Sequence, residues 1–216
     1  MRGTLQGKKN TMPNFEQIER DFLKIDDRDD SSILKFYYDN INYFSLIDIT
    51  KKEISQKNLL MLSEIIQSAY AQKDNRLLRK MIKPTINNFN RFSIKYNYDL
   101  GTDNSYKALT FHTAIYHFDR KKYYSAIKYF KISLLLDKDN EKLIDFYNVS
   151  KYRFNLRLIN FIGLLGLTIF VLKYFLKLII GINGFGITML GILSATLLIA
   201  FGIFAMRVKS PATKSR

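Results

Sequence analysis

Through the first three quarters of the chain, apolar positions recur with a helical period, and the last quarter turns into two nearly unbroken apolar runs. Between 54 and 69, Ile54, Leu59, Leu60, Leu62, Ile65, Ile66 and Ala69 return at the spacing that gathers side chains on one side of a helix, with no two-residue alternation. Start signals for helices are frequent. Pro13 suits a first turn, Ser31 or Ser32 precedes ILKFYYDNINYF, and Thr50-Lys51-Lys52-Glu53 has capping-box spacing. Asp103 or Asn104 opens a later helix, and Asp139 or Asn140 the last soluble one. Pro84 is expected to break the stretch beginning RLLRKMIK, and 95–105 (KYNYDLGTDNS) reads as a loop. These signals predict an all-α chain, with about six or seven helices in antiparallel hairpins over 13–157.

The two apolar runs cover 158–180 and 184–206, each long enough as a helix, roughly 35 Å, to cross a hydrocarbon core of about 30 Å. Only 181–183 separates them, so they are expected to form a transmembrane helical hairpin. A domain of this size could not cover two helices that are apolar on every side.

Charge then orients the hairpin. Residues 151–216 hold 9 of the 34 Lys and Arg and none of the 19 Asp and Glu, the last acid being Asp145. Lys151, Arg153 and Arg157 stand before the first run. Arg207 and Lys209 follow the second within the basic tail 207–216, and the turn has no charge. Cations mark the cytosolic side, so both termini are expected in the cytosol, on the inner membrane in a bacterium. Tyr152 and Phe154 sit among the first set of cations as interface anchors. The segment 1–12 is basic and has no apolar core of a signal peptide; it is expected to be disordered and to export nothing.

Two features lie inside the runs. Lys173 and Lys177 are one helical turn apart and form an intramembrane charge pair, which either snorkels to the distal headgroups or serves an ion, a substrate or a partner helix. Gly184, Thr188, Gly191, Ala195 and Gly202 form a stripe of small residues that permits close helix packing, either on the first span, with its Gly163 and Gly166, or on a second copy in a homo-oligomer.

The segment from Ser105 to Asn140 resembles a tetratricopeptide repeat. Ala126 and Phe130 supply its Ala-x3-Phe element, Tyr123 precedes them, and Ala114 and Ser133 are small where the family's two helices touch. Thr110, Thr113, His117 and Lys138 depart from the family's Trp, Leu, Tyr and Pro. LSEIIQSAYAQKDNRLLRKMIKP repeats the helix–turn–helix form without the signature. The resemblance implies protein binding, with Phe111, Ile115 and Phe118 on the groove-facing side as partner-binding residues.

Composition narrows the chemistry. With Cys 0, thiol nucleophiles and thiolate metal sites are excluded. His112 and His117 are five apart, the wrong spacing for two ligands on one helical face, and Asp26-Asp27-Arg28-Asp29-Asp30 lacks the ligand spacing of a calcium loop. No catalytic or nucleotide motif is present, so no enzymatic activity, no cofactor and no metal is expected. The net charge of +15 is weighted to the membrane flanks, which suits anionic lipid headgroups; nucleic acid is not an expected partner. The expected function is a membrane-anchored, tetratricopeptide-like adaptor that recruits a protein to the cytosolic face of a membrane. The alternative is an effector whose hairpin oligomerises and perturbs the bilayer when the soluble part is triggered.

Overall fold

A computed structural model describes residues 14–25, 29–45, 47, 49–179, 181 and 185–208. Among these, every regular element is an α-helix: α1 Phe15–Phe22, α2 Asp30–Asp39, α3 Ile41–Ser45, α4 Lys52–Ala71, α5 Asn75–Tyr96, α6 Asn104–Asp119, α7 Tyr123–Leu136, α8 Glu141–Ile179 and α9 Phe185–Arg207. The fold is all-α, as the periodicity requires. It divides into two compact units: the described residues up to Tyr116 with Leu135–Lys138, and His117–Leu134 with the described residues from Asp139 onwards.

The first unit is built around α4. A broad face of it is buried, including Leu59, Leu62, Ile65, Ile66 and Ala69, because α1, α2 and α5 all pack on it. Phe22, Phe36, Tyr37 and Phe44 form a ring cluster beside it, with centroids 5.4 to 6.0 Å apart. Polar ties fix the register: Lys57 Nζ meets Glu19 at 2.7 Å, Tyr43 donates to Asn58 at 2.9 Å, and Ser63 donates to the Ser105 carbonyl at 2.8 Å.

Local signals are redistributed at three places. Asp29 caps α2, and Ser31 and Ser32 inside the helix donate their hydroxyls to it; the Ser32 bond leads in holding its carboxyl down to about 2. At α4 the cap is Lys51 with no side-chain bond, and the expected capping box does not form, since Glu53 reaches forward to Lys57 instead. Pro84 does not break its helix. Its ring is exposed, as is Lys80, whose carbonyl the proline leaves without a donor, while Met81, Ile82, Thr85, Ile86 and Phe89 are buried on the other side. Packing on α4 offsets a proline cost of about 3 kcal/mol. Asp103 and Asn140 open α6 and α8, each side chain accepting from the backbone N–H three residues on. The α5–α6 loop lies at 97–103, starting with Asn97 in the left-handed region at φ 48. Pro13 and Asp26, Asp27 and Arg28 lie outside the described residues.

In the second unit, α7 runs back along the first half of α8. Phe130 stacks on Phe146 at 5.7 Å, and Phe118 closes on the same ring at 6.0 Å. Nearer the start of α7, Tyr124 meets Phe154 at 6.2 Å, and the Arg157 guanidinium lies 5.4 Å from the Tyr123 ring. The helix α8 is a single 39-residue element that crosses the expected boundary between soluble part and first span without a joint. No Gly or Pro occurs between Asn140 and Ile162 to interrupt it.

Both α8 and α9 are long and apolar enough to cross a membrane, and only 11% of the most apolar window of each is buried in the structure. A core helix of a soluble protein would have that surface covered.

Candidate functional site

The two long helices pack on each other in one antiparallel register. A Cβ placed on Gly163 would come within 2.6 Å of the Phe201 ring, one on Gly166 within 3.1 Å of Leu197, and one on Gly191 within 2.6 Å of Lys173 Nζ. Steps forward along α8 match steps back along α9, so these residues sit level in pairs. The face of α9 turned to α8 is Ile187, Gly191, Ser194, Leu197 and Phe201; on α8 it is Ile159, Gly163, Gly166, Ile169 and Lys173.

This contact divides the stripe of small residues. Gly191 belongs to the contact between α8 and α9. Thr188 and Ala195 are exposed, and a Cβ on Gly202 would meet nothing within 4 Å. Gly184 lies outside the described residues. The α8 glycines do more of the work of close approach than the stripe, because Gly163 accommodates a whole ring.

Lys173 and Lys177 are separated by the same geometry. Lys177 is exposed near the end of α8. The stem of Lys173 instead runs sideways across the contact, with its ammonium beside Gly191 and 5.8 Å from the Tyr174 ring. It does not extend toward the end of the hairpin as snorkelling requires. Gly191 is six positions into α9, so the charge lies about 9 Å from that helix end. No carboxylate follows Asp145 in the sequence to neutralise it.

Where α8 enters its apolar half, Lys151, Arg153 and Arg157 are exposed and Tyr152 and Phe154 half-buried. Arg157 also reaches back, donating from Nη1 to the Lys121 carbonyl at 2.9 Å. Arg207 is exposed in the last turn of α9, and Lys209 lies outside the described residues.

Of the residues expected to face a partner, Ile115 is buried at 7% exposure, and Phe111 and Phe118 are half-buried. Phe118 is held between Tyr123 and Phe146, and the Phe111 ring lies 5.5 Å from His112. The small positions of the repeat-like segment, Ala114, Ala126 and Ser133, are all buried, as is Phe130.

The two histidines are packing residues. His112 lies against Tyr70 at 5.4 Å, and burial pushes its pKa below the ordinary range. His117 stacks on Tyr129 at 5.5 Å, and burial followed by the charges of Lys122 and Arg120 lowers it also. Among the described residues, no three His, Asp or Glu side chains gather as metal ligands.

The chain matches no protein-family model, no curated protein and no solved structure.

Proposed function

We propose that the chain is a membrane-anchored helical adaptor: α8 and α9 insert as a hairpin, and the soluble helices, tetratricopeptide-like over α6 and α7, recruit a protein partner at the cytosolic face. The observation that carries this reading is α8 itself. One uninterrupted helix is packed on α7 over its first half and apolar with its flanks uncovered over its second, which suits a fixed mount on a bilayer.

The effector reading needs the hairpin to pack between copies. Gly163, Gly166 and Gly191 are taken up within one chain, which favours an anchor. Partner contact is assigned to the face that carries Phe111, since Ile115 is buried and Phe118 is committed to Phe146.

Two measurements on the full chain in its membranes test the proposal. Alkaline carbonate should leave the protein in the pellet and detergent should release it; release by carbonate would end the anchor reading. A photo-crosslinking residue at Phe111 should give a discrete protein adduct that the same residue at exposed Lys80 does not. Equal labelling from both positions would end the recruitment reading while leaving the anchor intact.

A further inference from the structure

The α6–α7 loop, Arg120-Lys121-Lys122, is more than thirty positions from the apolar runs in sequence, yet the fold brings it to their threshold. Arg157, the last cation before the first run, donates to the Lys121 carbonyl at 2.9 Å and covers the Tyr123 ring. The loop itself is fixed by its own backbone: Lys121 N–H donates to the Phe118 carbonyl at 2.8 Å and Lys122 N–H to that of His117 at 2.9 Å. All three loop side chains are exposed, as are Arg153 and Arg157 on the facing side of α8; the nearby acid is Asp119. Beside them Tyr124 is 72% exposed, an aromatic ring with a polar tip at the level of Phe154.

We propose that this loop is a lipid-reading element, in which Lys121 and Lys122 join Arg153 and Arg157 in one cationic site for the phosphate of anionic phospholipid headgroups. The inference rests on the membrane reading of α8 and α9. A lipid surface is the occupant that fits, because the cations adjoin the apolar half of α8 directly, on the same helix, and Tyr124 adds an interface-type aromatic from a different element. Lysine and arginine at this level attract anionic lipid, and their effect fades within a Debye length, so only side chains held at the surface contribute. The fold holds Lys121 and Lys122 there, where sequence position alone would not. Anionic lipid would in turn keep the start of α7 against the bilayer.

The test uses the full chain reconstituted in phosphatidylcholine vesicles with and without phosphatidylglycerol. Retained lipid is identified by native mass spectrometry, and a fluorophore at Ser125 is quenched by brominated lipid. The variant Lys121→Asn with Lys122→Gln removes the charge and keeps the backbone, since asparagine tolerates the left-handed φ of 57 at Lys121 and the bond to Arg157 uses a main-chain oxygen. The control is Lys128→Gln with Lys131→Gln, two exposed positions further along α7.

The unmodified chain should retain phosphatidylglycerol several-fold over its share of the bilayer. The loop variant should lose most of that preference and its Ser125 quenching, and the control should keep both. Equal loss in the two variants would show that net charge alone matters, and unchanged selectivity in the loop variant would remove the loop from the site; either overturns the proposal. Lipid preference that persists while binding of a single-stranded oligonucleotide is lost in the loop variant would overturn it in favour of a soluble polyanion. Carbonate washing of the same vesicles separates the readings: protein that is stripped defeats the membrane reading and this proposal with it, whereas protein that stays without selectivity defeats this proposal alone.

Discussion

On the membrane reading of α8 and α9, Lys173 is the residue whose position is electrostatically costly. An ammonium about 9 Å from the end of the hairpin, with no carboxylate in its half of the chain, is expensive in hydrocarbon, though by less than the roughly 3 kcal/mol that insertion scales give for a lysine at a helix centre. Replacing Lys173 with Met should therefore improve insertion of the first span by about 1 to 2 kcal/mol, while Lys177→Met should change it by less than 1 kcal/mol. A membrane-insertion assay checks both; equal effects would show that Lys173 does reach the headgroups. His112 makes a second prediction at this scale. Burial favours its neutral form, so the unfolded chain takes up a proton at 6.5 that the folded chain takes up only at lower pH. Stability should fall as pH drops through 6.5 and level off below the folded value. Substituting both His112 and His117 by Phe should flatten that limb in thermal unfolding of the detergent-solubilised chain. If the limb keeps its full slope, the carboxylates carry it.

Between helices, the glycines decide how closely α8 and α9 approach. Gly163→Ala would drive a methyl group into the Phe201 ring and should destabilise the hairpin by about 1 to 3 kcal/mol, as overpacking does. Gly202→Ala, with open space at its Cβ, should be near neutral. Thermal melts in detergent compare the two, and the opposite ranking would mean that the α9 stripe, and not Gly163, forms the contact. The joint in α8 makes a further prediction. A Gly/Ser insertion after Ser150 would carry Phe154 and Arg157 away from Tyr124 and Lys121, releasing α7 and the soluble half of α8 from a fixed angle to the bilayer. Spin-label distances from residue 145 to the bilayer surface should be narrow in the unmodified chain and broad after insertion. A broad distribution in the unmodified chain would show a break near Ser150 and refute the rigid mount.

For the whole molecule, topology is the property that charge asymmetry predicts most directly. Cysteines introduced at Asn183 and Ser215 should label from opposite sides of the membrane, Asn183 from outside, because cations flank the runs at Arg157 and Arg207 and none lies between them in the turn. Labelling of both from one side, or of Ser215 from outside, would reject the two-span arrangement. The same asymmetry places most of the net charge of +15 in the last third of the chain. Up to Asp145 the chain carries 25 Lys and Arg against 19 Asp and Glu, and beyond it nine bases and no acid.

Elements governed by local rules were legible in the sequence alone: the helical class, helix starts at Asp103 or Asn104 and at Asp139 or Asn140, the length of the apolar helices and, from the run without Gly or Pro, the absence of a joint in α8. Period, capping and helix-breaking act over a few residues, so neighbours in sequence suffice to read them. Where the structure departs from the local signals, a competing contact outweighs the local preference, across space for Pro84 and along the same helix for Glu53. Pro84 stays inside α5 because α4 buries the opposite face, and Glu53 leaves the α4 cap for Lys57. Tertiary structure alone decided that Lys173 turns toward Gly191, that Gly163 receives Phe201, and that the Arg120–Lys122 loop sits beside Arg157. Those pairings depend on the relative register of separate helices, and register is set by side chains interlocking across space, which the order of residues along one helix does not contain.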